Sequence, residues 1–127
     1  MSKSIVATTG ACKPIGPYSM AVRAGGFVHF AGQLGWDFET GALVPGGIRA
    51  EARAAFENLA AVLAYAGLAL GDIVKATVYL RDIADAPVVN DVWEAAFPED
   101  PPARTLVEVT ALPKGASIEI DAIAVDV

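Results

Sequence analysis

Ser117-Ile118-Glu119-Ile120-Asp121-Ala122-Ile123-Ala124-Val125 is the stretch whose alternation decides the fold. Read as a strand, it places Ile118, Ile120, Ala122 and Ala124 on one face. The other face begins polar, with Glu119 and Asp121, and ends apolar, with Ile123 and Val125. Helices on one side of a sheet would leave the second face wet. Apolar residues on both faces therefore predict a cover on the far side as well.

Upstream, Leu112-Pro113-Lys114-Gly115 reads as a turn and Thr105 to Thr110 as another strand. Asp85 is a suitable N-cap for a helix with Pro87 in its first turn, running to about Phe97 before Pro98 stops it. Ile73 to Leu80 is a strand, with Val74, Ala76, Val78 and Leu80 expected on one face and Lys75, Thr77 and Tyr79 on the other. The clearest helix precedes it. Ile48, Ala52, Phe56, Leu59, Leu63 and Ala66 recur at spacings of three and four, and Gly67 stands at the C-terminus. Arg49, Glu51, Arg53 and Glu57 are expected on or near the solvent side. Phe27 to Ala31 and Ser4 to Ala7 read as strands, and Lys13 to Ser19 as a constrained loop. No third helix is available to cover the far face, so a neighbouring copy is the expected cover.

Bulk composition agrees. The chain has 127 residues, 54% of them apolar and only 19% charged. That is one domain, residues 1–127, rich in apolar surface for its size. A net charge of −6 repels nucleic acids and anionic membranes, so an anionic ligand needs a local positive site. Nine basic residues against fifteen acidic ones, without clustering, argue against RNA as a partner. The single cysteine, Cys12, forms no intrachain disulfide. With no signal peptide read at the N-terminus and no apolar run near the ~20 residues of a membrane span, the expected location is cytoplasmic.

One His and one Cys cannot assemble a usual zinc site, and Glu119 with Asp121 lacks convergent partners, so no metal is expected. Gly25-Gly26 and Gly46-Gly47 are read as turns, not a phosphate loop. His29 is read as a packed or interface histidine. Cys12, in a loop bearing proline, is expected to be exposed and oxidisable but not nucleophilic.

Three segments remain: Gly16-Pro17-Tyr18-Ser19, Gly32-Gln33, and Pro102-Ala103-Arg104-Thr105 continuing into Ser117-Ile118-Glu119-Ile120. With Ala31, Gly71-Asp72-Ile73-Val74-Lys75-Ala76-Thr77-Val78, Val89-Asn90-Asp91-Val92 and the Glu119-to-Ala124 tail, they resemble the RidA/YjgF reactive intermediate deaminase family along essentially the whole chain. The resemblance implies an α+β, chorismate-mutase-like mixed sheet with two helices on one face. It also implies a homotrimer with sites between subunits. The implied activity is cofactor-independent hydrolysis of enamines and imines, of the 2-aminoacrylate, 2-iminobutanoate and 2-iminopropanoate type, to 2-oxo acids and ammonia.

Residue by residue, the resemblance implies that Arg104 anchors the substrate carboxylate. Glu119 positions water and moves protons, Tyr18 closes the pocket, Asn90 braces it, and the Gly32 backbone meets the amino group. Ala31 and Leu106 stand where the family often has Ser and Cys, which makes the pocket less polar. Trp93, in place of a more usual Tyr, is read as a packing change. The alternatives are a carboxylate-binding module without turnover, a deaminase of a larger acid such as 2-aminomuconate, and an endoribonuclease. If the last two strands were a tight hairpin, Glu119 would face Thr110 and lie roughly 20 Å from Arg104 at ~3.3 Å per residue. A shared site therefore requires that these strands are not partners, or that the two residues come from different subunits.

Overall fold

The computed structural model describes residues 2–126; Met1 and Val127, the ends of the 1–127 domain assignment, lie outside the described residues. Strands β1 (Ser4–Ile5), β2 (Ala21–Ala24), β3 (Phe27–Leu34), β6 (Ile73–Leu80), β7 (Ala103–Glu108) and β8 (Ile118–Val125) form one six-stranded sheet in the order β1-β2-β3-β8-β6-β7. A small hairpin of β4 (Trp36–Asp37) and β5 (Ala42–Leu43) stands apart from it. Helix α1 (Gly47–Tyr65) packs on β3 and β8, and beside it lies α2 (Ala86–Ala96). The α+β architecture with a mixed sheet and two helices is thus the expected one. No helix among the described residues is long and apolar enough to cross a membrane.

Strand pairing answers the hairpin question. β7 runs parallel to β6, and β8 runs antiparallel to the opposite edge of β6, so β7 and β8 are not partners. Helix α2 makes the parallel β6–β7 connection that a tight turn cannot. β8 sits at the centre between β3 and β6, which explains its pattern. Ile118, Ile120, Ala122 and Ala124 are buried under the helices, and Glu119, Asp121, Ile123 and Val125 are partly exposed on the other face.

Helix α1 ends as its sequence dictates. Gly67 takes φ +76, its N–H donates to Ala64 O at 3.0 Å, and the Leu68 N–H donates to Leu63 O at 3.0 Å. These paired bonds satisfy two carbonyls that the helix leaves open. Leu59 and Leu63 on its inner stripe are fully buried, each stabilising the fold by about 1.5–3 kcal/mol.

Several expectations need correction. Glu51 is buried, not solvated; its Oε1 accepts the Ser117 N–H at 3.0 Å, tying α1 to the start of β8. Val74 is exposed because the β6–β8 register shifts between Ile73 and Lys75, which turns Ile73 into the core instead. Cys12 is buried, and that burial pushes its thiol above the ordinary range, the reverse of an activated cysteine. Asp85 occupies the N-cap of α2 without a side-chain cap bond; Asp82, one turn earlier, accepts the Ala84 N–H at 2.9 Å. β1 covers only Ser4 and Ile5, followed by one further bond from the Val6 N–H to Ala21 O at 3.0 Å. β2 and the β4–β5 hairpin are additions: β2 is too short to show a period, and Gly25 and Gly26, both at positive φ, turn it back onto β3. His29 is exposed on the open face, across from Ile123.

Candidate functional site

Arg104 sits on the edge strand β7 directly across from Ala76. Residues paired in this way project to the same face, and Ala76 is buried beneath the helices. Arg104 therefore reaches toward α2, where its Nη1 donates to Asn90 Oδ1 at 2.9 Å and its guanidinium carbon lies 4.9 Å from the Trp93 ring centroid. Asn90 and Trp93 are three apart on α2 and so share a face. Trp93 is itself fixed by Phe97 at 4.6 Å and by Phe56 edge-on at 5.9 Å. Among the described residues no carboxylate reaches salt-bridge distance of Arg104. A cation held in place, stacked and unneutralised, is a ready carboxylate receptor. With Pro101, Pro102 and Glu94 these groups line an open concavity. Leu106, two residues further along the same face, is half-buried against the core. Trp93 thus does more than pack; the signal was its spacing of three from Asn90.

A second concavity gathers Tyr18, Gly32 and Glu119. β3 pairs with β8 on either side of an irregularity between Phe30 and Gln33, which frees Ala31 and Gly32 from the regular ladder. Ala31 instead donates its N–H to Met20 O at 2.9 Å, and its carbonyl accepts from Gln33 Nε2 at 3.1 Å. Glu119 lies against the bare Cα of Gly32: a Cβ there would stand 2.8 Å from Glu119 Cδ. Burial, reinforced by the neighbouring Asp121 carboxylate, pushes the Glu119 carboxyl above the ordinary glutamate range. Asp121 accepts the Tyr79 O–H at 2.9 Å, a bond that raises Tyr79 in turn. Tyr18 is exposed at the rim, its ring folded over Gly16 and its N–H bonded to Gly16 O at 2.9 Å.

Within one chain the two groups stay apart. Arg104 is opposite Ala76 and Glu119 opposite Tyr79 on β6. Three residues along the strand and two strand spacings across separate their backbones by roughly 14 Å. The odd offset also sends them to opposite faces. Arg104 with Asn90 lines one concavity, and Tyr18, Gly32 and Glu119 line another. A site containing all five does not close within a single chain.

The protein is thus a small α+β domain with an edge-strand arginine cradled by the second helix and a half-buried glutamate over a strand glycine. The family description "Endoribonuclease L-PSP" matches residues 8–126, and the chain belongs to this family, the YjgF/RidA family. It is 47% identical over 124 residues to a RutC family protein of Pyrococcus abyssi, covering 98% of both chains. It is 46% identical over 123 residues to the 2-iminobutanoate/2-iminopropanoate deaminase of Bos taurus, covering 97% of this chain and 90% of that one. The crystal structure of E. coli TdcF with bound serine superposes with a TM-score of 0.88 at 38% identity, covering 96% and 98% of the two chains.

Proposed function

We propose that the protein hydrolyses 2-imino acids and their enamine tautomers to 2-oxo acids and ammonia, in a homotrimer whose sites lie between subunits. The observation that carries the reading is Arg104: a guanidinium fixed by Asn90 and Trp93, with no carboxylate of the described residues within salt-bridge distance. Relatives named as 2-iminobutanoate/2-iminopropanoate deaminases support the reaction, and a relative with bound serine supports an amino-acid-like ligand.

Arg104 of one subunit grips the substrate carboxylate through two parallel N–H···O bonds. Tyr18, Ala31, Gly32 and Glu119 of a neighbour complete the pocket, and Leu106 backs Arg104. An enamine first takes a proton at C3 and becomes the iminium. Glu119 then removes a proton from water as its oxygen bonds to C2, which gives a carbinolamine. That proton passes from Glu119 to the nitrogen; Glu119 then takes the hydroxyl proton as the C–N bond breaks and C2 becomes a carbonyl, and this proton leaves with ammonia as ammonium. Overall, iminium plus water becomes 2-oxo acid plus ammonium. A carboxyl raised by burial is closer to neutral pH and better matched to both transfers. Because imines already hydrolyse in water, holding the reactants in place supplies most of the acceleration.

The test is 2-oxobutanoate and ammonia formation from 2-iminobutanoate generated in situ, with wild type, Arg104→Ala, Glu119→Gln, and the two variants unfolded and refolded together. Wild type accelerates the reaction, and each variant alone does not. Since an intersubunit site needs one intact residue from each of two chains, the mixture recovers about a quarter of the activity for random assembly. Ligand binding without acceleration would establish a binding module instead. Full activity of Arg104→Ala would remove the anchor, and a dead mixture would place the site within one chain.

A further inference from the structure

We infer that the concavity beside Glu119 is a side-chain subsite for imino acids carrying an apolar group of about four carbons or more, with Trp36 and Phe38 as its specificity-determining walls. This rests on the deaminase reading above. The concavity has about 70 Å³ of accessible space, less than the ~300–1,000 Å³ of a whole small-molecule site and suited to one side chain of a substrate held elsewhere. Its walls are Ile15, Met20, Leu34, Trp36 and Phe38, with Glu119 at one side.

Two amide side chains in that wall commit their N–H groups to the wall's own backbone. Asn58 Nδ2 donates to Leu34 O and to Trp36 O, each at 2.9 Å, and the Gln33 amide donates to Ala31 O. The remaining wall is mainly apolar, so an apolar group displaces loosely held water from it favourably. The wall is also preorganised. Trp36 and Asp37 pair with Leu43 and Ala42, Asp37 Oδ1 accepts the Glu39 N–H at 2.9 Å, and the Val44 N–H reaches Gly35 O at 2.9 Å. Lys114 Nζ lies 5.6 Å from the Trp36 ring centroid and helps hold the indole. Lys13 is the other charged lining residue and is exposed. A methyl or ethyl side chain next to Glu119 would leave most of these rings untouched.

Each additional buried methylene strengthens transition-state binding by about fourfold. An imino acid derived from leucine has three more carbons than one derived from alanine, so kcat/KM should rise by at least about tenfold even with incomplete burial.

The experiment compares imino acids generated in situ from alanine, leucine and phenylalanine, each rate taken over the buffer background. Phe38→Ala and Trp36→Ala are run beside wild type. In parallel, tryptophan fluorescence and calorimetry follow binding of pyruvate and 4-methyl-2-oxopentanoate, the stable products. The expected result is a leucine-to-alanine preference of tenfold or more that falls to about threefold or less in either variant, with the binding order following suit. The ratio is internal to each protein, so partial loss of folded material does not imitate it. A wild-type preference below about threefold in both rate and binding overturns the subsite. If no imine is accelerated but the larger 2-oxo acid still binds more tightly and loses that advantage in Phe38→Ala, the subsite stands and the deaminase reading fails.

Discussion

Replacing Gly32 with alanine separates the placement of Glu119 from the stability of the fold. A Cβ at this position would lie 2.8 Å from Glu119 Cδ, 3.0 Å from Cγ and 3.1 Å from Oε1, against 3.4–4 Å for ordinary contacts. The carboxyl group must therefore retreat by about 0.6 Å (the difference between 3.4 and 2.8 Å). Gly32 does not have a positive φ, so alanine is compatible with the backbone. The displaced atoms are the end of a flexible, half-buried side chain, and the stability cost should stay within ~1 kcal/mol. Catalysis is less forgiving, since misplacing a reacting group by a fraction of an ångström to 1 Å costs roughly 10- to 100-fold. The expected outcome is kcat/KM for 2-iminobutanoate reduced by that factor, read by coupled 2-oxobutanoate detection, with little change in Tm by calorimetry. Activity within about threefold of wild type would refute the idea that the contact between Gly32 and Glu119 sets the geometry of proton transfer.

Gly35→Ala is the opposite case. Its Cβ would meet the backbone of α1, 2.6 Å from Glu51 O, and backbone cannot swing aside, so about 1–3 kcal/mol of stability should be lost; calorimetry showing wild-type Tm would contradict this. Asn90→Ala removes the 2.9 Å brace from Arg104 but leaves the guanidinium, so KM should rise by about tenfold, ~1.4 kcal/mol, with kcat less affected. Arg104→Lys keeps the charge but loses the planar grip and the stacking on Trp93; kcat/KM should stay down by about 30-fold or more, ~2 kcal/mol, and near-wild-type rates would reduce the anchor to a point charge. Glu119 is raised in the folded protein, so its contribution to stability is fully present below the ordinary glutamate pKa and is lost as pH rises through the folded value. Glu119→Gln should accordingly raise Tm at pH 7–8 relative to wild type and show no such gain near pH 4; a pH-independent difference would rule out the linkage.

The sequence carried the fold wherever a period was long enough to read. The α1 stripe from Ile48 to Ala66, the Gly67 terminus and the alternation in β8 each have a single physical interpretation. What stayed hidden was decided by registers and local irregularities. The shift that exchanges Ile73 for Val74 breaks a strict alternation, and it arises from pairing with β8. Glu51 sits near the polar side of α1 and is buried only because a free N–H at Ser117 approaches it from the other end of the chain. The burial of Cys12 depends on how its loop packs. For the site, the residues came from the family resemblance. Their division into two concavities follows from strand order, and the identity of Trp36 and Phe38 as pocket walls follows from a hairpin too short to announce itself.

Arg104 and Glu119 face opposite sides of the same sheet, and this links two features otherwise unrelated. The open face carries Ile123, Val125, Phe27 and Val107, with Phe27 and Val107 more than a third exposed. Apolar surface of that kind calls for a covering partner. The Arg104 concavity on the helix side of the β7 edge has only the exposed Glu94 as an acid among its lining residues, and the Glu119 concavity has no cation among its lining residues beyond the exposed Lys13. Under the trimeric proposal one association answers both needs: it covers the apolar face and brings the β7 edge of one subunit to the Glu119 pocket of the next. Assembly and catalysis would then share one equilibrium, so any substitution that loosens the trimer would lower activity without touching either half-site.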